Sequence, residues 1–74
     1  MKTFTAVLNA KGLTLIESEN TDNAVREGQV PNLEVADKII AAYRLRRLEE
    51  WEIRYEPDAR FTLTARCVRL PEDF

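Results

Sequence analysis

The chain has 74 residues, 45% of them hydrophobic and 32% charged, with a formal net charge of -2 and no histidine. A chain this short forms one domain with a small core, about 3–5 kcal/mol of net stability, so a homodimer or an obligate partner is a natural supplement. The mild acidity, with a pI near 5.1, argues against general nucleic-acid binding, which neutralises many phosphates. The missing histidine removes the commonest general base, the commonest zinc ligand and every Ser-His or Cys-His arrangement.

Met1-Lys2-Thr3-Phe4-Thr5 alternates and contains no apolar run. No signal peptide or membrane-spanning segment is expected, and the expected location is cytoplasmic. From Lys2 to Leu8, Phe4, Ala6 and Leu8 alternate with Thr3, Thr5 and Val7, as in a strand with one buried face. Asn9-Ala10-Lys11-Gly12 reads as a turn and Leu13–Glu17 as the return strand. Pairing Leu8 with Leu13 and Ala6 with Leu15 keeps the apolar residues together, whereas a one-residue slip would scatter them. Ser18–Gln29 is polar and reads as a loop, with one turn of helix between Thr21 and Gly28 as its only candidate structure.

The central helix starts at Pro31-Asn32, where Asn32 is the expected cap and Glu34 suits the positive end of the dipole. At 100° per residue, Leu33, Val35, Ala36, Ile39, Ile40, Ala42 and Tyr43 share a broad face. The pattern then breaks, because Arg46 and Arg47 arrive at the apolar face while Leu45 and Leu48 rotate away. The helix is therefore expected to stop between Arg44 and Glu49, near Arg46, with its arginines against the negative end of the dipole. No Gly or Pro marks that stop. A rival reading runs the helix on to Glu56 and leaves three strands.

After the helix the period becomes two. Trp51, Ile53 and Tyr55 alternate with Glu50, Glu52, Arg54 and Glu56. Pro57-Asp58-Ala59 is the expected turn. Phe61, Leu63, Ala65 and Cys67 then alternate with Thr62, Thr64, Arg66 and Val68. This predicts pairs Tyr55–Phe61, Ile53–Leu63 and Trp51–Ala65, with the aromatic residues facing the core and Pro71–Phe74 fraying beyond the strand. The sum is an α+β fold over residues 1–74. Two antiparallel β-hairpins, β-β-α-β-β, form a four-stranded sheet covered on one face by a single helix.

Chemistry is sparse. Gly12 and Gly28 are far apart and form no phosphate loop. The single cysteine, Cys67, provides neither a disulfide nor a thiolate cluster and reads as a buried structural thiol in a reduced compartment. Glu49, Glu50, Glu52 and Glu56, and the acids of the 17–22 segment, read as solvated faces. The 19–23 segment lacks the spacing of a calcium loop. No cofactor, no metal ligand and no catalytic residue are expected, and the chain reads as a non-enzyme.

What remains is basic. Arg44, Arg46 and Arg47 cluster at the helix end, and Arg54, Arg60, Arg66 and Arg69 lie on the last hairpin. The plain reading pairs them with the helix dipole and with Glu50, Glu52 and Glu56 across strands. The functional reading is a contact patch for phosphate or for an acidic protein surface, with Arg44, Arg46, Arg47, Arg54, Arg66 and Arg69 as partner-binding residues. The outer sheet face, expected to carry Thr3, Thr5, Val7, Thr14, Ile16, Thr62, Thr64, Val68 and Leu70, suits a wet surface, a protein contact or a dimer seam. No motif is specific enough to carry a family resemblance. The expected function is that of a small non-catalytic protein-interaction module. Phage and mobile-element inhibitors of host protein complexes, acting in the anti-CRISPR manner, are the class in which such domains are common. The alternative is a nucleic-acid-associated regulator that uses the arginine cluster. No membrane partner is expected.

Overall fold

A computed structural model describes residues 2–55 and 61–70, the latter without the Phe61 side chain. Strands β1 (Thr3–Asn9), β2 (Gly12–Glu17) and β3 (Ala24–Glu27) precede helix α1 (Leu33–Ala42). Strands β4 (Leu45–Arg47), β5 (Glu52–Tyr55) and β6 (Phe61–Arg69) follow it. All strand pairs are antiparallel, in the order β3-β2-β1-β6-β4, with β5 also on β6. The class is α+β with one helix on an antiparallel sheet. The sheet has six strands, not four, and the helix is preceded by three of them rather than by one hairpin.

The first hairpin has the predicted register, with Ala6 opposite Leu15 and Leu8 opposite Leu13. Asn9 and Gly12 also pair, so the turn tightens to Ala10-Lys11. The Asn9 Oδ1 accepts from the Lys11 N–H at 2.9 Å and so stabilises the turn locally. The 18–29 segment is not simply a loop. Residues 24–27 form β3, with Val25 opposite Leu15 and Glu27 opposite Leu13. Val25 alone contributes an inward aliphatic side chain, which is too little alternation to announce a strand.

The helix begins where predicted, with Asn32 Oδ1 accepting from the Val35 N–H at 2.9 Å. It ends at Ala42, earlier than expected, and the rival extension to Glu56 is excluded because residues 45–47 are strand. Arg44 takes a left-handed backbone (φ 61) and donates its N–H to the Ala41 carbonyl at 2.9 Å. That is the C-terminal geometry usually given to glycine. The arginines therefore follow the helix, and its last turn contains no basic residue. Leaving the helix resolves the broken pattern: at strand period Leu45 turns inward and becomes 3% exposed, while Arg46 turns outward.

Ala36 and Ile40 of α1 pack with Phe4, Ala6, Leu8, Leu13, Leu15, Leu45 and Cys67. This is the inner face of the sheet, with Val30, Ile39, Tyr43, Trp51 and Leu63 around its rim. Leu33 and Ala42, assigned to the helix core face, are exposed.

Strands β4 and β5 lie in sequence along the same edge of β6. Arg47 pairs with Cys67 and Glu52 with Thr64, so the four residues 48–51 stand opposite the two residues 65–66. The predicted pairs Tyr55–Phe61 and Ile53–Leu63 form; Trp51 lies in the bulge instead of pairing with Ala65. The helix does not reach the far end of this hairpin. Ile53 is 54% and Tyr55 80% exposed, against the expectation of a core-facing aromatic strand. The expected turn at Pro57-Asp58-Ala59, Arg60 and the tail 71–74 lie outside the described residues. No described helix is long and apolar enough to cross a membrane.

Candidate partner-binding surfaces

Among the six arginines expected to meet a partner, the side chains of Arg47, Arg66 and Arg69 meet Asp37, Glu49 and the Phe4 ring respectively. Strand β4 and the 48–51 bulge determine two of these arrangements. Arg47, turned inward on β4, donates from Nε to Asp37 Oδ1 at 2.7 Å and from Nη2 to Asp37 Oδ2 at 3.1 Å. This is a fork-to-fork contact between strand and helix. The Trp51 indole N–H reaches the same carboxylate at 3.3 Å, and the Arg47 guanidinium carbon lies 5.5 Å from the indole centroid. A further Arg47 N–H caps the Glu49 carbonyl at 2.8 Å. Arg66, on the opposite face, donates both Nε, at 2.8 Å, and its own backbone N–H, at 3.1 Å, to Glu49 Oε1. The carboxylate thus stands in for a carbonyl where the bulge interrupts the ladder.

Each ionisation in this group is driven the same way. The Arg47 hydrogen bonds hold the Asp37 carboxyl below its ordinary range, and Asp37 in turn raises Arg47. The Arg66 hydrogen bonds lower Glu49, and Glu49 raises Arg66. These groups are stabilised in their charged forms. A general acid or base near neutral pH needs the opposite bias.

The remaining predicted positions divide between the faces of the sheet. Arg69 lies in an inward register position, opposite Leu45, with its guanidinium carbon 5.1 Å from the Phe4 ring centroid. Arg44 occupies the left-handed position at the helix end and is exposed. Arg46, opposite Val68, and Arg54, opposite Thr62, share the outer face with Arg66 and are exposed. The structure therefore brings Arg46, Arg54 and Arg66 to one face and separates Arg47 and Arg69 from them.

Arg26 joins that outer face. It stands opposite Thr14 on β3 and is exposed. It was missed because its segment reads as loop; the alternation Ala24-Val25-Arg26-Glu27 was the available signal. Thr3, Thr5, Val7, Thr14, Ile16, Thr62 and Thr64 lie among these arginines and are half-buried, as expected of an outer face with no described element over it. Val68 is the exception at 5% exposure, seated between Thr3 of β1 and Arg46 of β4.

An open hollow of about 640 Å³ lies where α1 meets the bulge, lined by Asp37, Ile40, Ala41, Arg47, Leu48 and Glu49 among others. Its named ionic groups are the ion-paired ones above. Among the described residues, no group of three or more His, Cys, Asp or Glu is placed to hold a metal ion. Cys67 is buried, and burial pushes its thiol up to about 11 against the opposing pull of Arg47.

Comparison with protein families, with curated proteins and with solved structures finds no match for this chain.

Proposed function

We propose that this chain is a non-catalytic protein-binding module that occupies an acidic surface on a partner protein with the outer face of its sheet. The observation that carries the reading is charge segregation. The chain as a whole is acidic, at -2, yet Arg26, Arg46, Arg54 and Arg66 share one face. Among the described strand and bulge residues placed on that face, the acids are Glu52 and the Glu49 that reaches Arg66. Asp37 binds inward-facing Arg47, and Glu17 and Glu27 lie in inward register on β2 and β3. Arginine above a half-buried threonine surface suits bidentate contact with carboxylates. Occupation of a host protein complex, as by phage and mobile-element inhibitors of the anti-CRISPR kind, is the mode of action we assign to such a module.

A nucleic-acid ligand is the second reading, because arginines also meet phosphate. It is disfavoured by the placement of Phe4 and Tyr55 in inward register, which leaves those rings off the basic face, where single-strand binding would need stacking platforms.

The test is affinity capture from a native-host lysate, with and without nuclease. The baits are the wild-type chain and an Arg26→Glu/Arg46→Glu variant. A stoichiometric protein that survives nuclease and is lost with the charge-reversed bait supports the reading. Material recovered only without nuclease assigns the face to nucleic acid. Equal capture by both baits removes the outer face from consideration.

A further inference from the structure

We propose that β5 is a self-complementary edge through which two copies of the chain join in an antiparallel, two-fold pairing centred on Ile53. Four described features combine at this edge. First, β5 pairs with β6 on one side, and no other described strand pairs with it. Second, its inward side chains, Ile53 and Tyr55, are 54% and 80% exposed, beyond the reach of the helix. An edge with exposed large apolar groups is one that soluble monomers ordinarily guard with lysine, proline, a bulge or a covering segment. Third, the neighbouring stretch of the same edge is guarded. There, residues 48–51 bulge out and are tied down by Arg47–Asp37 and Glu49–Arg66. Residues 52–55 include no lysine, proline or bulge, and no described segment covers them.

The fourth feature is the charge order, which selects both the occupant and the register. An antiparallel pairing that continues the inner face of one copy into the inner face of the other has its two-fold axis at a residue. Centred on Glu52, it sets the two Glu52 side chains against each other; centred on Arg54, it does the same with the two Arg54 side chains. Centred on Ile53, it sets Glu52 opposite the partner's Arg54 and, by symmetry, Arg54 opposite the partner's Glu52, both on the outer face. Ile53 then meets the partner's Ile53 on the inner face, and Tyr55 reaches the edge of the partner's 48–51 bulge, where Trp51 lies. Opposite charges directly across a strand pair stabilise it, whereas like charges destabilise it. Of the three registers, the sequence Trp51-Glu52-Ile53-Arg54-Tyr55 satisfies this one on both faces. A second copy of the chain is thus a matching occupant, and the interface is isologous. The pairing joins two outer faces into one larger basic surface. The inference does not depend on the reading of that surface.

The experiment is sedimentation equilibrium of the full chain over a concentration series, with circular dichroism on each variant to verify folding. The wild type is expected to associate reversibly to a dimer. Glu52→Arg and Arg54→Glu each set like charges across the seam and are expected to weaken dimerisation at least ~10-fold. Both positions are exposed, so the fold should survive. An equimolar mixture of the two variants restores both pairs and is expected to form a heterodimer near wild-type strength. A wild type that remains monomeric throughout overturns the proposal, even if a strand from another protein is later found on this edge. So does a dimer indifferent to both reversals, or a mixture that stays monomeric.

Discussion

Gly12 faces the carbonyl of Glu27 so closely that a Cβ on Gly12 would lie 2.1 Å from the carbonyl oxygen, and its φ of +128° is one that only glycine adopts readily. The contact is between backbones, so no side-chain rotation relieves it. Gly12→Ala is expected to destabilise the domain by roughly 2 kcal/mol or more and to release β3 first. Hydrogen exchange of residues 24–27, set beside urea denaturation, checks both effects; unchanged protection there would mean that this approach does not hold β3.

Ile40 is 2% exposed at the centre of the helix–sheet contact. Ile40→Asp places an unpaired charge there, at a cost of roughly 3–5 kcal/mol, comparable with the stability available to a chain of this length. Loss of the cooperative thermal transition is expected, and an unchanged transition would place the core elsewhere.

The Asp37–Arg47 bridge links α1 to β4 in a partly exposed setting, with side-chain exposures of 42% and 25%. Solvent screening limits its worth, so Asp37→Asn is expected to cost roughly 0.5–1 kcal/mol at neutral pH. Because the folded carboxyl titrates below its ordinary value, held down chiefly by the Arg47 hydrogen bonds, that stabilisation is complete above the unfolded value. It disappears as pH falls through the folded one. Wild type and variant, compared by urea denaturation at neutral pH and at successively more acid pH, should differ at neutral pH and draw together as the folded carboxyl protonates.

Cys67 is expected to resist alkylation. With the folded thiol raised to about 11, the thiolate fraction near pH 8 falls roughly a hundredfold below that of an unperturbed cysteine, before access is considered. Maleimide labelling should be slow in buffer and fast in denaturant. The raised value adds stability below the ordinary thiol range and loses it as pH rises toward the folded value. Prompt labelling of the native chain would contradict the burial.

The elements readable in advance were those with local punctuation or a strong period. Asn32 announced the helix, and Phe4, Ala6, Leu8, Leu13 and Leu15 specified the first hairpin and its register. The helix stop was not legible because Arg44 fills a position that a glycine would have marked. Strand β3 was hidden because what holds it, the fit of Gly12 against Glu27 and the pairing of Leu15 with Val25, is non-local. At the candidate surface, the outer-face positions of Arg54 and Arg66 followed from strand alternation, whereas Arg46 was expected at the helix end and turns outward because residues 45–47 are strand. The capture of Arg47 by Asp37 did not, because it joins residues ten apart on different elements. Ile53 and Tyr55 fell on the predicted face, but no pattern in the chain says where a ten-residue helix stops covering it.

The bulge at 48–51 exceeds its opposite strand by two residues, an even number. Leu45 pairs with Arg69 and Ile53 with Leu63, both inward positions of β6, so the two point to the same side of the sheet although the ladder between them is broken. Drawing β5 along β6 by a single residue would reverse β5 alone, because a one-residue slip moves every side chain to the other face. Ile53 and Tyr55 would cross to the basic side, and Glu52 and Arg54 to the apolar one. The short irregular segment thus holds the amphipathic identity of β5 by fixing the register in which it meets β6.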